Sequence, residues 1–284
     1  AAMSARCTIE VRRIAGALGA EVREVDLAQP LSGEQVAALR RAWLDHQVIF
    51  FRGQNRPPQQ FLAFAERFGG SIEYPLVKGI QGFPTIIEVK KLEHERNAFG
   101  AIWHSDTVYL EEPPMGTMLL ARELPPYGGD TLFANMVLAY EMLSDGMKRM
   151  LAGMKAVNSS AKAYVSRTRE DRVRAEGREN ARGEYLAEHP VVRTHPETGR
   201  KALYVNPAHT VRFSGMTEEE SAPILDYLYR HQTKPDFTCR FVWQPGSLAF
   251  WDNRCAQHNP VNDYHGFRRL MHRRARRPNS LLPQ

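Results

Sequence analysis

The stretch Ser247-Leu-Ala-Phe-Trp251-Asp-Asn-Arg-Cys-Ala-Gln-His258-Asn-Pro-Val-Asn-Asp-Tyr-His-Gly-Phe-Arg268-Arg269-Leu-Met-His-Arg273-Arg274 decides how this chain is read. Ser247 to Trp251 is a short apolar run of strand length, and the polar, turn-forming residues after it carry His258. If Arg268 to Arg274 is a strand, Arg269, Met271 and Arg273 face one side and Leu270 and His272 the other. Two guanidiniums then enter the interior. A buried arginine needs an anionic partner, and its planar fork matches a carboxylate or sulfonate in bidentate fashion.

Upstream, similar short apolar runs recur between Gly/Pro turns: Thr85 to Val89, Met115 to Leu120, Gly129 to Phe133, Leu203 to Val205 and Phe237 to Trp243. Many short strands with regular turn signals predict a sandwich or barrel. The front of the chain has a mixed α/β texture. Strands are expected at Thr8 to Arg12 and Ala20 to Val25, with a further buried strand at Val48 to Phe51. The capping box Ser32-Gly-Glu-Gln35 starts a helix through Val36, Leu39, Trp43 and Leu44, and Pro57-Pro58 starts another carrying Phe61, Phe64 and Phe68. Two later helices are expected, one from Leu138 to Met154 and one opened by the capping box Thr217-Glu-Glu-Glu220. Residues 158–188 hold few apolar anchors and read as an insertion or lid, or as a plain surface loop.

The 284 residues suit one domain over 1–284, and a composition of 43% hydrophobic and 25% charged residues excludes disordered, collagen-like and coiled-coil classes. No apolar run is long enough to span a bilayer and no secretory layout opens the chain, so a cytoplasmic protein is expected. Cys7, Cys239 and Cys255 form no C-x-x-C pair and are expected to be reduced. The net charge of +6 invites a nucleic-acid reading, but much of the excess lies between Arg268 and Arg277, where Arg274, Arg276 and Arg277 can also be plain surface charge.

In Trp103-His104-Ser-Asp106, an extended backbone places His104 and Asp106 on one face, where they can share an ion. By itself this element reads equally as a polar strand edge. His258 supplies a third ligand, although His189, His209 and His272 are equal candidates on spacing alone. Two imidazoles, one carboxylate and open positions are the ligand set preferred by Fe(II) oxygenases.

With these residues in place the chain resembles the taurine/2,4-dichlorophenoxyacetate dioxygenase family of Fe(II)/2-oxoglutarate enzymes. The resemblance spans nearly the whole chain. It rests on Trp103-His-x-Asp106, Gly128-Gly-Asp-Thr131 with Asn135 behind it, Leu203-Tyr-Val-Asn206, Trp251-Asp-Asn253 and the final His-x10-Arg-x3-Arg. It implies a mainly-β α+β fold, a cupin-like double-stranded β-helix or jelly roll flanked by helices. It implies iron ligands His104, Asp106 and His258, a 2-oxoglutarate site at Arg269 and Thr131, and Arg273 as holder of a substrate anion. The implied reaction uses O2 and 2-oxoglutarate to hydroxylate an aliphatic C–H of a small organic anion, releasing succinate and CO2. Asp106 favours hydroxylation, since related halogenases lack that carboxylate.

Taurine dioxygenases carry a histidine and a tyrosine after the Phe-Gly of the second helix and an asparagine before Trp-His-x-Asp. Here the stretch is Phe68-Gly-Gly-Ser-Ile-Glu-Tyr74-Pro-Leu-Val77, and Gly100 stands where the asparagine would be. Tyr74, Val77 and His209 are then expected to line a pocket for a bulkier or more apolar anion: a sulfonate, a sulfate ester or an aryloxyalkanoate. No nucleic-acid or membrane partner is expected, and a homo-oligomer, dimer or tetramer, is. A zinc hydrolase is the first alternative, but His94-Glu-Arg-Asn-Ala98 lacks the closing histidine of the helical zinc element. A non-enzymatic nucleic-acid-binding barrel is the second, and its usual aromatic or helix-turn-helix signatures are missing.

Overall fold

The computed structural model describes residues 9–75, 77–162 and 184–277. Its largest sheet has seven strands: Glu10–Arg13 (β1), Ala20–Arg23 (β2), Val48–Phe51 (β3), Ile87–Lys91 (β4), Gly116–Glu123 (β5), Leu248–Asp252 (β13) and Arg269–Arg276 (β15). They lie in the order β1-β2-β3-β13-β5-β15-β4, antiparallel except for β2 against β3. Thr131–Asn135 (β6), Thr238–Phe241 (β12) and Ala256–Pro260 (β14) form a three-stranded sheet with β6 in the middle. A second three-stranded sheet is Lys155–Ser159 (β7) between Leu186–Pro190 (β8) and Thr210–Phe213 (β11). Val192–Thr194 (β9) pairs with Lys201–Leu203 (β10). The helices are Gly33–His46 (α1), Pro58–Glu66 (α2), Met136–Glu141 (α3), Asp145–Leu151 (α4) and Glu218–Gln232 (α5).

Strand β13 is buried at every position because both of its faces are covered. Leu248 and Phe250 point into a cluster with Trp43 of α1 and Phe61 and Phe64 of α2, where the Trp43 and Phe250 rings stack with centroids 4.4 Å apart. Ala249 and Trp251 point the other way, into a cluster with Phe133 of β6 and Phe241 of β12. The three-stranded sheet thus packs on the inner face of the large one, as the alternation of a doubly covered strand requires. Ser32 Oγ accepts from Gln35 N–H while Ser32 N–H donates to the Gln35 amide oxygen, so the expected capping box fixes the start of α1. Thr217 and Glu220 do the same for α5.

The expected single helix from Leu138 to Met154 is two helices, α3 and α4. Ser144 accepts a hydrogen bond from Met147 N–H and so opens a new helix where the periodicity alone suggests continuation. The reading of Arg274 and Arg276 as surface charge is also overturned. Strand alternation turns both toward α2, where Arg274 donates to the Leu62 carbonyl and Arg276 to the Ala65 carbonyl. Both guanidiniums thus donate to carbonyls in the second half of α2. Arg277 is exposed, as expected. Most of the proposed lid, residues 163–183, lies outside the described residues, as does Cys7; Cys239 and Cys255 are buried free thiols. Among the described residues no helix is long and apolar enough to cross a membrane.

A buried ion network pins the end of β13. The Asp252 carboxylate accepts from His195 Nε2 and twice from the Arg254 guanidinium, each at 2.8 Å, and Arg254 Nη1 pairs with Glu197. Removing Asp252 would leave Arg254 buried without its main partner. Asp252→Ala is expected to lower unfolding stability by about 3–5 kcal/mol, against about 1 kcal/mol for Ser32→Ala at the α1 cap; urea unfolding followed by far-UV circular dichroism compares the two.

Candidate active site: a buried His-Asp-His convergence between two arginines

His104 and Asp106 do not lie in a regular strand. A single antiparallel bridge positions them instead: His104 N–H donates to the His258 carbonyl at 3.1 Å and His258 N–H donates back at 2.9 Å. The chain then turns sharply, with Thr107 at φ +47°, a left-handed conformation that costs a β-branched residue energy. Just before this turn, the Asp106 carboxylate faces both rings. His104 Nε2 and His258 Nε2 lie 3.5 and 3.7 Å from Asp106 Oδ1.

Each of the three side chains is oriented from behind. His104 Nδ1 meets the Ile102 carbonyl at 2.6 Å, which leaves Nε2 to face the carboxylate. His258 is wedged against Trp251. The Asp106 Oδ2 atom accepts from the Thr117 hydroxyl at 2.6 Å, and Thr117 Oγ1 accepts in turn from Asn253 Nδ2 at 2.9 Å. Asn253 Oδ1 accepts from the Trp251 indole at 3.0 Å, so the Trp-Asp-Asn motif is the second support of the carboxylate.

Burial alone would raise the Asp106 carboxyl, but Arg273, then His258 and His104, hold it well below the usual carboxylate range. Burial, reinforced by His104 and Arg273 and opposed by Asp106, holds the His258 imidazole well below its usual range. An ionised carboxylate beside a neutral imidazole is the donor set a divalent cation needs. One atom from each of His104, Asp106 and His258 lies within 4.8 Å of the other two, a spacing that fits bonds of about 2 Å to one ion.

The two arginines reach this centre from β15, as the alternation predicts. Arg273 Nη2 is 2.7 Å from Asp106 Oδ1, and its guanidinium lies over the Tyr74 ring. Arg269 is 4% exposed, and its Nε and Nη2 have no hydrogen-bond partner. Burial lowers its pKa accordingly. Its guanidinium and Thr131 line the same cleft as His104, His258 and Arg273. Thr131 Oγ1 accepts from the Trp243 indole at 3.0 Å, which fixes the hydroxyl. Gly129, at φ +72°, allows this crowding, because a Cβ there would sit 3.2 Å from the Arg269 Cδ and Nε atoms.

Tyr74, Val77 and His209 also meet here. Tyr74 and Val77 cluster with Ile87 and Tyr109, and the His209 ring stands edge-on to both Tyr109 and His104. Asn206 Oδ1 accepts from His209 N–H, which explains the Leu-Tyr-Val-Asn motif as a turn that presents His209. At Gly100, φ +71°, an added Cβ would lie 3.1 Å from His104 Cε1, so a side chain there would press on the His104 ring. Sequence reasoning missed Tyr109, three residues after Asp106, and Thr117, which nothing in the sequence separates from other strand threonines. His189 and His272 are placed elsewhere: His189 meets the Leu110 carbonyl and His272 accepts from Arg122. A second convergence, His195, Asp252 and Cys255, is the ion network at the end of β13, with its carboxylate already taken by Arg254.

The family model for taurine catabolism dioxygenase TauD, TfdA family, matches residues 10–275. The chain belongs to the TauD/TfdA dioxygenase family. Among TauD/TfdA relatives, it is 33% identical to an alkylsulfatase of Acinetobacter baylyi, covering 93% of this chain and 84% of that protein. It is equally 33% identical to an alpha-ketoglutarate-dependent sulfate ester dioxygenase of Pseudomonas putida, over 90% of this chain and 85% of that one. A solved taurine dioxygenase from Burkholderia xenovorans superposes with a TM-score of 0.81 at 33% identity, over 95% and 90% of the two chains. The chain is thus an alpha-ketoglutarate-dependent dioxygenase, an oxidoreductase, and both the zinc-hydrolase and the nucleic-acid-barrel alternatives fall away.

Because the carboxylate is held through Thr117, removing that hydroxyl should loosen the candidate metal site without changing any of its three converging side chains. Thr117→Val is expected to weaken Mn(II) or Co(II) binding about 10- to 100-fold, with secondary structure retained. Calorimetric titration of the metal-free protein checks this, and unchanged affinity would detach Thr117 from the site.

Proposed function

We propose that this chain holds Fe(II) on His104, Asp106 and His258 and uses 2-oxoglutarate and O2 to hydroxylate an aliphatic C–H of a small organic anion, with an alkyl sulfate ester as the best-supported substrate class. The observation that carries the reading is the pair of inward arginines, four residues apart on β15, flanking a three-ligand centre. Arg269 has no hydrogen-bond partner for two of its nitrogens, and Arg273 reaches the centre itself. Bound there, Fe(II) would supply the redox chemistry that couples decarboxylation of 2-oxoglutarate to C–H oxidation. We also read the chain as one domain and the large and inner sheets as the two walls of a double-stranded β-helix.

The protein's own part is positioning and exclusion of water. Arg269 and the Thr131 hydroxyl hold the far carboxylate of 2-oxoglutarate, and Trp243 keeps that hydroxyl aimed. Arg273 binds the substrate's anionic head through its fork and fixes how far the adjoining carbon stands from the ligands. Tyr74 supports the Arg273 guanidinium, while Tyr109, Val77 and His209 close the wall around an apolar tail. Gly100 contributes no polar side chain, which disfavours an amine-bearing substrate such as taurine. The named activities of the Acinetobacter and Pseudomonas relatives agree with a sulfate ester head. Hydroxylation of the carbon that bears a sulfate oxygen gives a hemiacetal-like product that collapses to an aldehyde and inorganic sulfate.

Succinate release, screened across alkyl sulfates, alkyl sulfonates, aryloxyalkanoates and taurine, tests this directly. Alkyl sulfates are expected to give succinate with matching aldehyde and inorganic sulfate. Turnover of taurine above the sulfates would overturn the substrate assignment. Arg273→Ala is expected to raise the KM for the sulfate ester about tenfold or more and the 2-oxoglutarate KM far less; the reverse ranking would exchange the roles of the two arginines.

A further inference from the structure

The register of β4 against β15 places Lys91 directly opposite Arg269, just as Ile87 lies opposite Arg273. Cross-strand partners share a face of the sheet, so Lys91 enters the same interior as the two arginines. It is 2% exposed, which is rare for a lysine, and its ammonium has no hydrogen-bond partner. Among the described residues no carboxylate lies within ion-pair distance of it.

What the ammonium does meet is an aromatic face. Lys91 Nζ is 4.6 Å from the centroid of Tyr264, and the Arg269 guanidinium carbon is 6.0 Å from that same centroid. Arg269 is also 5.8 Å from the Trp243 ring. Two cations therefore share one phenol ring in a dry interior. A ring quadrupole replaces only part of the hydration each has lost, and the two charges repel. The nearest acid on the loop before β6, Asp130, is engaged with Arg240 at 2.7 Å. The charge of Asp130 still acts on Arg269, but that one carboxylate is shared with Arg240 and pairs directly with neither buried cation.

We propose that Lys91 is a second cation of the co-substrate subsite, acting with Arg269 from across the Tyr264 ring to hold the far carboxylate of a 2-oxo diacid. It thereby sets the preference for a diacid over a 2-oxo monoacid. This inference rests on the reading of Arg269 given above. A carboxylate has two oxygens and about four lone-pair sites, more than a guanidinium and the Thr131 hydroxyl saturate. Lysine, a compact charge with three rotatable donors, reaches what the planar fork leaves over.

Calorimetric binding to the Mn(II)-loaded protein separates the two claims. The diacid probe is N-oxalylglycine and the monoacid probe is 2-oxobutyrate, which lacks the far carboxylate. Lys91→Met is expected to weaken N-oxalylglycine about tenfold or more, to leave 2-oxobutyrate within about twofold, and to melt no lower without ligand. Lys91→Gln, a second neutral variant, must give the same ranking. If Arg269→Gln weakens the diacid and both Lys91 variants bind it as the parent does, the Lys91 proposal falls while the co-substrate reading stands. If the Lys91 variants weaken both probes equally, Lys91 only shapes the pocket and the proposal is again overturned. If Arg269→Gln also binds the diacid undiminished, the co-substrate reading itself fails.

Discussion

Everything at the centre of this molecule depends on keeping the Asp106 carboxylate ionised where water does not reach it. Asp106 is 1% exposed, and an isolated carboxylate in such a place would take up a proton. Arg273, the Thr117 hydroxyl and the two imidazoles prevent that from four directions. Each of these groups belongs to a different piece of the fold. Arg273 comes from β15, Thr117 from β5, His258 from β14 and His104 from the loop that bridges to it. The large sheet and the inner sheet must therefore be docked before the charge can be tolerated, which ties the centre to the packing of Trp251, Phe133 and Phe241 in between.

The positive charge of the interior has the same logic in reverse. Arg273 is balanced by Asp106, whereas Arg269 and Lys91 face a ring, with no carboxylate within ion-pair distance of either among the described residues. A fold retains such an imbalance when a ligand removes it. The other buried arginines of the chain show the contrast: Arg254 sits between Asp252 and Glu197, and Arg274 and Arg276 point at the carbonyl end of α2. Each of those arginines has at least one acceptor within the fold, although Arg276 Nε and Nη2 stay unpaired.

Much of this was legible in the sequence because two periodicities decide it. Strand alternation correctly placed Arg269, Met271 and Arg273 on one face, and the capping boxes at Ser32 and Thr217 correctly started α1 and α5. The family resemblance brought His104, Asp106 and His258 together, and the structure converges them. What stayed hidden depends on contacts between distant segments. Thr117 is one more threonine in an apolar strand until Asp106 is seen against it. Lys91 is not singled out by the sequence and gains meaning only from its register with Arg269. Arg276 reads as part of a charged tail until α2 is laid across it. The break between α3 and α4 was missed because Ser144 caps a helix inside an unbroken apolar pattern.

The most direct test of the centre is optical. Under anaerobic conditions, adding 2-oxoglutarate to the Fe(II)-loaded protein should produce a weak visible charge-transfer band, since an iron held by the two imidazoles and Asp106 would keep positions open for a chelating 2-oxo acid. The band should be absent in Asp106→Ala at the same concentrations. A protein that binds Fe(II) and 2-oxoglutarate to saturation and stays colourless, or an Asp106→Ala variant with the full band, would contradict the assignment of these three residues as the iron site.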